Sequence, residues 1–466
     1  MMTSPFRTLR SIAGGFSREG SFWFVSVHKV VAGSARSGMP LRLFDVPLPC
    51  KGGVMFKSCR SAIAAVAILL GGAMSPGIAH ADCTPGFRLV NDGGFGNRFN
   101  LYAWSMQVFN GRLYVGTMNE RTGGEIWAYD GTQWEMVLQQ RLRRTGNTGF
   151  RSMILFRGFL YTGGTNDTNG AELWRTANGV RWRKIVAGGF GDANNDSVRG
   201  VAVFQDRLYI GLQNASGSGG QLWRSADGLA FEPVNIDGFG DGTNLSMHTL
   251  AVLNDQLYIG TKNKDSLMQV WRTSDGDSYE QVVGPNAAVA SGFGIPGNIL
   301  TMSMYVYDNV LYLGTGNARD NGDPLNGFSL MRTTDGTQWQ AITINGAGDI
   351  DNRFAWRFID YQGHLWLGIG NFNIEGGEGG QAWRSPTGDP GSWEVMVGPD
   401  GVYAPTGFGN WMNWGVRTFA EYQGKLYVGT AQCWKSWCQP EVTGAEIWEW
   451  SGETCPVAGA KAKPGD

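Results

Sequence analysis

LYVGTMNERTGGEIWAYDGTQWEMV, Leu113 to Val137, contains three short runs rich in β-branched and aromatic side chains, separated by polar turns. The first run opens with the pattern Leu-Tyr-x-Gly, and that pattern recurs along the chain. It is found seven times, at Leu113-Tyr114, Leu160-Tyr161, Leu208-Tyr209, Leu257-Tyr258, Leu311-Tyr312, Leu365-Trp366 and Leu426-Tyr427, at a spacing that is nearly constant at first and widens toward the C-terminus. Each copy follows an apolar run that ends in a turn, such as SMQVFNG or RTFAEYQG. Each leads to a third run, such as GAELWRTANG. In six units a fourth run follows, beginning at Trp134, Trp182, Phe231, Tyr279, Trp339 or Trp393. Short runs bounded by Gly, Asn and Asp are strands joined in hairpins, because DG and NG supply the positive φ angles that tight turns need.

Four antiparallel strands in each of seven units predict an all-β chain, a seven-bladed β-propeller of four-stranded blades. Unit seven has three runs, and the chain then ends in ETCPVAGAKAKPGD without a fourth. The missing strand lies at the other end of the sequence, in CTPGFRLVNDGGFG (Cys83 to Gly96). Spacing supports the match. The fourth-run aromatic precedes the next Leu-Tyr by one fixed interval, from Trp134 to Leu160, Trp182 to Leu208, Phe231 to Leu257 and Trp339 to Leu365. From Phe87 to Leu113 the interval is the same. FRLV is therefore expected to close the ring as the last strand of the last blade, with Phe87 beside Trp448. Closure removes the open edges that invite aggregation.

The turn between third and fourth runs also carries a resemblance. RTSDGDSYEQV, RSADGLAFEPV and RTTDGTQWQAI resemble the Asp-box (BNR) repeats of sialidase-like propellers, S/T-x-D-x-G-x-x-W, with Asp and Gly adjacent here. The resemblance implies the fold. It implies no activity, since Asp boxes lie far from the sialidase site, and seven units do not match that family's six blades.

Net charge is −2 over 466 residues, with no basic stripe, so nucleic acid is not an expected partner. Residues 1–54 read as an upstream extension, with Met55 the start, or as a targeting segment. Residues 55–81 read as a signal peptide, with Lys57 and Arg60 before an apolar run and Ala79-His80-Ala81 as the cleavage site. That run is too short for an ordinary membrane span. The propeller is expected over 82–456, a flexible tail over 457–466, and the protein to be secreted or periplasmic. Four cysteines remain after the leader, an even number in an exported chain, and three pairings are open. Ring closure selects Cys83–Cys455, in place of a turn, and leaves Cys433–Cys438. A bridge between residues so distant contributes up to about 4–5 kcal/mol in the chain-entropy model.

Loop lengths localise function. The stretch from second-run Leu to third-run Trp is short and nearly uniform in units one to four, from Leu113 to Trp127, Leu160 to Trp174, Leu208 to Trp223 and Leu257 to Trp271. It is longer in units five to seven, from Leu311 to Met331 (which replaces the Trp), Leu365 to Trp383 and Leu426 to Trp448. The connections into units five and seven, from Tyr279 to Leu311 and from Trp393 to Leu426, also exceed the common interval. These extensions share one face, and loops that grow on a rigid scaffold carry function. They bring Trp411, Trp414, Trp434, Trp437 and Tyr403 to its rim, suited to stacking on sugar rings or a protein partner. The competing reading packs them between blades.

Seven residues before each first hairpin turn lie Trp104, Arg151, Arg199, His248, Met302, Trp356 and Arg417, with Arg357 beside Trp356. On the innermost strand they would circle the channel mouth, where clustered arginines can grip a carboxylate or sulfate, or seal the channel. His248, with Arg199 and Arg151, is the candidate catalytic set for proton abstraction beside a uronic carboxylate. Asp192, Asn194 and Asp196 have the spacing of a calcium loop but lack its Gly and distant Glu; no other cofactor is expected. GFGD turns, and an Asn after the second strand in six units (Asn119, Asn166, Asn214, Asn263, Asn317 and Asn371), recur too regularly to be a ligand site, and the Asn is expected to close its loop by hydrogen bonds. No nucleophile, zinc or phosphate-loop motif occurs. The expected function is a monomeric binding module for a glycan or an envelope or extracellular protein. Its site would be the blade 5–7 rim, with Trp356, Arg357 and Arg417 from the mouth. The alternatives are a polysaccharide lyase or glycosidase, and an envelope scaffold.

Overall fold

In unit one the runs form the strands Tyr102–Phe109, Arg112–Met118, Glu125–Tyr129 and Trp134–Gln139. Each pairs antiparallel with the next. Asn110 and Gly111 in the first hairpin have φ of 47° and 71°, the left-handed pair that NG supplies. The same meander repeats from Gly149, Asn195, Asn244, Leu300 and Asn352. The last set has Asn413–Tyr422, Lys425–Gln432 and Ile447–Trp450, and its outer strand is Phe87–Leu89. This computed structural model describes residues 86–140, 146–214, 216–317, 327–373, 378–433 and 441–453. The leader readings over 1–54 and 55–81, the tail over 457–466, and Cys83, Trp434, Trp437, Cys438 and Cys455 lie outside them.

The second strand of each set also meets the first strand of the next. The links are Met118–Gly149, Thr165–Ser197, Gln213–Ser246, Lys262–Leu300, Gly316–Phe354 and Gly370–Gly415, and Ala431–Tyr102 returns to the start. The 28 strands of the described residues thus form one sheet. Its two inner strands per set close on themselves, and the other two lie outside. This is a β-propeller arrangement, built around a central channel.

The closing register corrects one expectation. Phe87 pairs with Trp450, and Leu89 with Trp448. Trp134 likewise pairs with Tyr129, two residues beyond Trp127, so the alignment of Phe87 with Trp134 predicts the observed partner. Gly86 N donates to Gly452 O at 3.2 Å, and Ser451 N donates to Gly86 O at 3.0 Å, which brings the two ends of the described chain together.

The Leu-Tyr-x-Gly pattern has two causes. The tyrosine hydroxyls of Tyr114, Tyr161, Tyr209, Tyr258 and Tyr312 press on Gly179, Gly228, Gly276, Gly336 and Gly388, in the outer turn of the following set. The one copy with tryptophan, Trp366, faces the set whose outer turn is split between Gly452 and Gly86, and it packs against Trp450 at 5.8 Å. The glycine lies opposite a β-bulge. In unit one Ala103 pairs with Thr117 and Ser105 with Gly116, leaving Trp104 as the extra residue. A Cβ on Gly116 would come within 2.6 Å of the Phe150 carbonyl of the next set.

The GFG turns place Phe95, Phe190, Phe239, Phe293 and Phe408 at φ of 56–61°, which costs each bulky residue about 1 kcal/mol or more. Stacking offsets the strain: Phe239 lies 4.5 Å from Trp271, Phe408 4.7 Å from Trp448, and Phe95 5.0 Å from Trp127. In the Asp-box-like turns Asp227 Oδ1 accepts from the backbone N–H groups of Leu229 and Ala230 at 2.8 and 2.9 Å, and Asp275 and Asp335 repeat the arrangement.

Candidate functional site

The bulges build the site. Every first strand carries one, and the inserted residue is Trp104, Arg151, His248, Met302, Trp356 or Arg417; in the third set Arg199 and Gly200 together face Gly211. A bulge re-aims a side chain, and the sequence-predicted ring consists of these residues. The following position is small in six sets (Ser105, Ser152, Gly200, Thr249, Ser303, Thr418) and is Arg357 in the sixth.

The ring residues line two adjoining cavities. The inner, of about 210 Å³, is bounded by Arg151, Arg199, His248, Arg357 and Arg417. Its lining also includes buried Met106, Met153, Leu250, Met304 and Phe419. The outer, of about 340 Å³, shares Arg151, Arg199, His248 and Arg417 and adds Lys262 on one side. Tyr102, Trp104, Phe354, Trp356, Phe372 and Trp414 also line it.

Charge in this space is one-sided. Arg151 lies over the Trp104 ring at 4.9 Å and Arg417 over Trp356 at 5.0 Å. Among the described residues, none of Arg151, Arg199, Arg357, Arg417 and Lys262 forms an ion pair or side-chain hydrogen bond, and the buried Nε of Arg199 has no partner. Asp196 and Asp167 favour the charge on Arg199 without pairing with it. Burial, reinforced by the other arginines, lowers the pKa of Arg151 and Arg417, and burial alone lowers that of Arg357. Burial, then Arg199, pulls Lys262 down to about 8. His248 is held well below its ordinary value by burial and by Arg199 and Arg151, and so is neutral at pH 7. Its Nδ1 is 3.4 Å from Ser246 Oγ. Arg417 is buried and Arg151, Arg199, Arg357 and Lys262 are half-buried; cations gathered in a recess without carboxylate partners are costly, and they suit the space to an anion.

Several expectations are corrected. Trp414 and Trp356 are 2% and 3% exposed, with ring centres 4.4 Å apart, so neither stands free at a rim. Trp414 Nε1 donates to the Gln432 carbonyl at 3.0 Å. Trp411 packs on the same cluster, together with Cys433, which is buried and disulfide-bonded. Among the described long-loop residues, Trp411, Met412, Trp414 and Cys433 join one packed cluster, and Phe372 and Trp414 border the outer cavity, so these do not form an exposed stacking surface. Tyr403 belongs elsewhere: it lies 4.6 Å from Trp450, at the closing seam. The calcium reading loses its ligand set, because Asp192 accepts from Asn194 and Asn214, and Asp196 from Gln213. Among the described residues no cluster of His, Cys, Asp or Glu suits a metal, and no helix is long and apolar enough to cross a membrane.

One site feature escaped sequence reasoning and one was foreseen only in part, since the loop-closing asparagines were expected but not their partners. Lys262, on a second strand, was outside the ring pattern. A buried amide ladder supports the loops: Asn119, Asn166, Asn214, Asn263 and Asn371 donate at 2.9–3.1 Å to Asn100, Asn147, Asn195, Asn244 and Asn352. The signal was present, since Asn100, Asn195, Asn244 and Asn352 each follow by six residues the turn glycine whose carbonyl they bond.

No family model matches the chain, and no curated protein does. Among solved structures, YCF48 from Cyanidioschyzon merolae is similar at a TM-score of 0.46 and 10% identity, over 78% of this chain and 98% of that one. Trypanosoma rangeli sialidase in complex with sialic acid is similar at a TM-score of 0.41 and 13% identity, over 62% of this chain and 57% of that one. A luciferin-regenerating enzyme is similar at a TM-score of 0.41 and 10% identity, over 67% of this chain and 96% of that one.

Proposed function

We propose that the chain is an exported, non-catalytic binding module that recognises an acidic glycan at the channel mouth. Each meander is taken as one blade, giving seven, with the last completed by Phe87–Leu89 and held by a Cys83–Cys455 bridge. The observation that carries the reading is the set of four arginines in the channel, none of them paired with a carboxylate. Arginine does not shed its charge in proteins and grips carboxylate or sulfate in a bidentate manner, so the set favours an anionic ligand. The binding face moves accordingly, from the aromatic rim of blades 5–7 to the channel. Trp411, Trp434 and Trp437 are candidates for contacts with the rest of a larger ligand.

Catalysis is not favoured. A neutral His248 with a strongly depressed pKa is a poor base, and burial pushes the one nearby tyrosine, Tyr102, far above its ordinary value. The test is binding of acidic and neutral polysaccharides to the wild type and to an Arg151→Gln, Arg199→Gln double variant. Preference for the acidic polymers, weakened by salt and by the double variant, is the expected outcome. Equal binding of neutral polymers contradicts it. New ultraviolet absorbance from an unsaturated uronate would establish a lyase instead.

A further inference from the structure

We infer that the channel is a two-part socket for one ring bearing one acid group, with the acid seated in the inner cavity and the ring against the tryptophans that line the outer one. This rests on the anion-binding reading above and narrows its ligand from an acidic polymer to a free acid or an exposed chain end.

The argument starts from how the two cavities divide their residues. Arg357 borders only the inner cavity, whereas Trp104, Trp356 and Trp414 border only the outer. Arg151, Arg199 and Arg417 border both. An anion in the inner cavity therefore meets guanidinium groups from four sets of strands. The buried Nε of Arg199 is a donor already stripped of water and lacking an acceptor, and Arg417, 5% exposed, forms no ion pair. The inner lining sets Met106, Met153, Met304, Leu250 and Phe419 beside polar Ser105, Gln107, Ser152, Thr249 and Thr418. Opposite charges attract more strongly in such a recess than in open water.

Ring selectivity comes from the outer cavity. Trp104 stands between Arg417 and Arg151 in strand order, and Trp356 next to Arg417, so aromatic side chains alternate with the arginines around the outer cavity, and Leu300 and Met302 add apolar lining. At about 340 Å³ the space is near the lower limit of small-molecule pockets, room for one ring. A polymer interior would have to fold its chain into the channel to seat an acid, whereas a terminal acid enters directly.

Arg357 is the residue that marks the site as special-purpose. Its counterparts Ser105 and Ser303 donate to the backbone carbonyls of Phe150 and Ala355, binding neighbouring strands together. At position 357 that strand-linking hydroxyl is replaced by a cation facing the chamber.

The probes are glucuronate, glucose, benzoate, inorganic sulfate and polygalacturonate, titrated calorimetrically into the full chain. Glucuronate should bind at least about tenfold more tightly than glucose, and Arg357→Gln should weaken it by about tenfold or more, the loss expected for a charge-assisted bond. Sulfate should compete with glucuronate in the wild type, a readout that needs no variant. Benzoate binding as well as glucuronate would assign the socket to aromatic acids, and failure of benzoate to sugar acids; the ring-acid socket stands in both cases. Equal binding of glucuronate and glucose, or full affinity in a folded Arg357→Gln protein, overturns the inference. Polygalacturonate binding without glucuronate binding also overturns it, while leaving the acidic-glycan reading intact. If no acid of any size binds, both readings fall.

Discussion

Gly211 lies opposite the bulge that turns Arg199 into the channel, between the pairs Val198–Leu212 and Val201–Ile210. The glycine that identifies the repeat in the sequence is thus a condition of the site's geometry. A Cβ at this position would overlap the Met247 carbonyl, which is backbone and cannot rotate aside. Gly211→Ala is expected to destabilise the fold by about 1–3 kcal/mol, the usual range for overpacking, as measured by denaturant unfolding. An unchanged midpoint would show that the bulge tolerates a side chain.

Ala347 is the exception among the turn aromatics. It keeps the left-handed backbone (φ 60°) without a ring, and a cavity of about 350 Å³ lies there between Trp383, Trp393, Ile342 and Leu330. Five other turns show what fits such a place: a phenylalanine against the third-strand tryptophan or its outer neighbour. Ala347→Phe should stabilise the protein by about 1 kcal/mol, the order of one aromatic pair, and raise the thermal midpoint. A lower midpoint would mean that Phe328, 6.1 Å from Trp383, already occupies the room.

Acid stability is set in part by the outer turns. Backbone N–H groups hold the carboxylates of Asp275 and Asp335 down to about 2, and the Thr132 hydroxyl with two N–H groups does the same for Asp130. Because the folded values lie below the ordinary 3.8, their stabilisation is complete above that pH and is lost as pH falls toward 2. Unfolding free energy should stay level from neutral pH to about 4.5 on their account, then decline down to about pH 2. Asp335→Ala should shrink that decline. An unaltered acid limb would remove these turns from the account.

Lys262 gives the binding site a pH dependence of its own. With a pKa near 8, it is charged at neutral pH and loses its proton as pH rises, so attraction for an anion falls. Glucuronate affinity should weaken between about pH 7 and pH 9, with the midpoint shifted upward by the bound anion, and Lys262→Met should flatten the profile. An affinity that rises with pH would contradict the placement of Lys262 beside the ligand.

The fold was legible because each unit repeats its turn chemistry, and the spacing from Phe87 to Leu113, equal to that from Trp134 to Leu160, revealed the closing strand. The ring of inserted residues was legible for the same reason, since counting from a hairpin turn locates a bulge repeated at fixed distance. Burial of long-loop residues was not. Trp414 and Tyr403 look alike in sequence, as aromatics in glycine-rich loops, and only packing sends one to the border of the outer cavity and the other to the closing seam. Lys262 escaped because it lies on a second strand, outside the first-strand pattern, and the arginines near it, Arg151, Arg199 and Arg417, come from other units.

The central claim is that the channel holds an anion on Arg151, Arg199, Arg357 and Arg417. Crystals soaked in selenate and measured at the selenium edge test it directly. The account predicts the strongest peak inside the inner cavity, within hydrogen-bonding distance of those guanidinium groups, and its loss in Arg357→Gln crystals. Selenate bound at surface positions, with the channel empty, would contradict it.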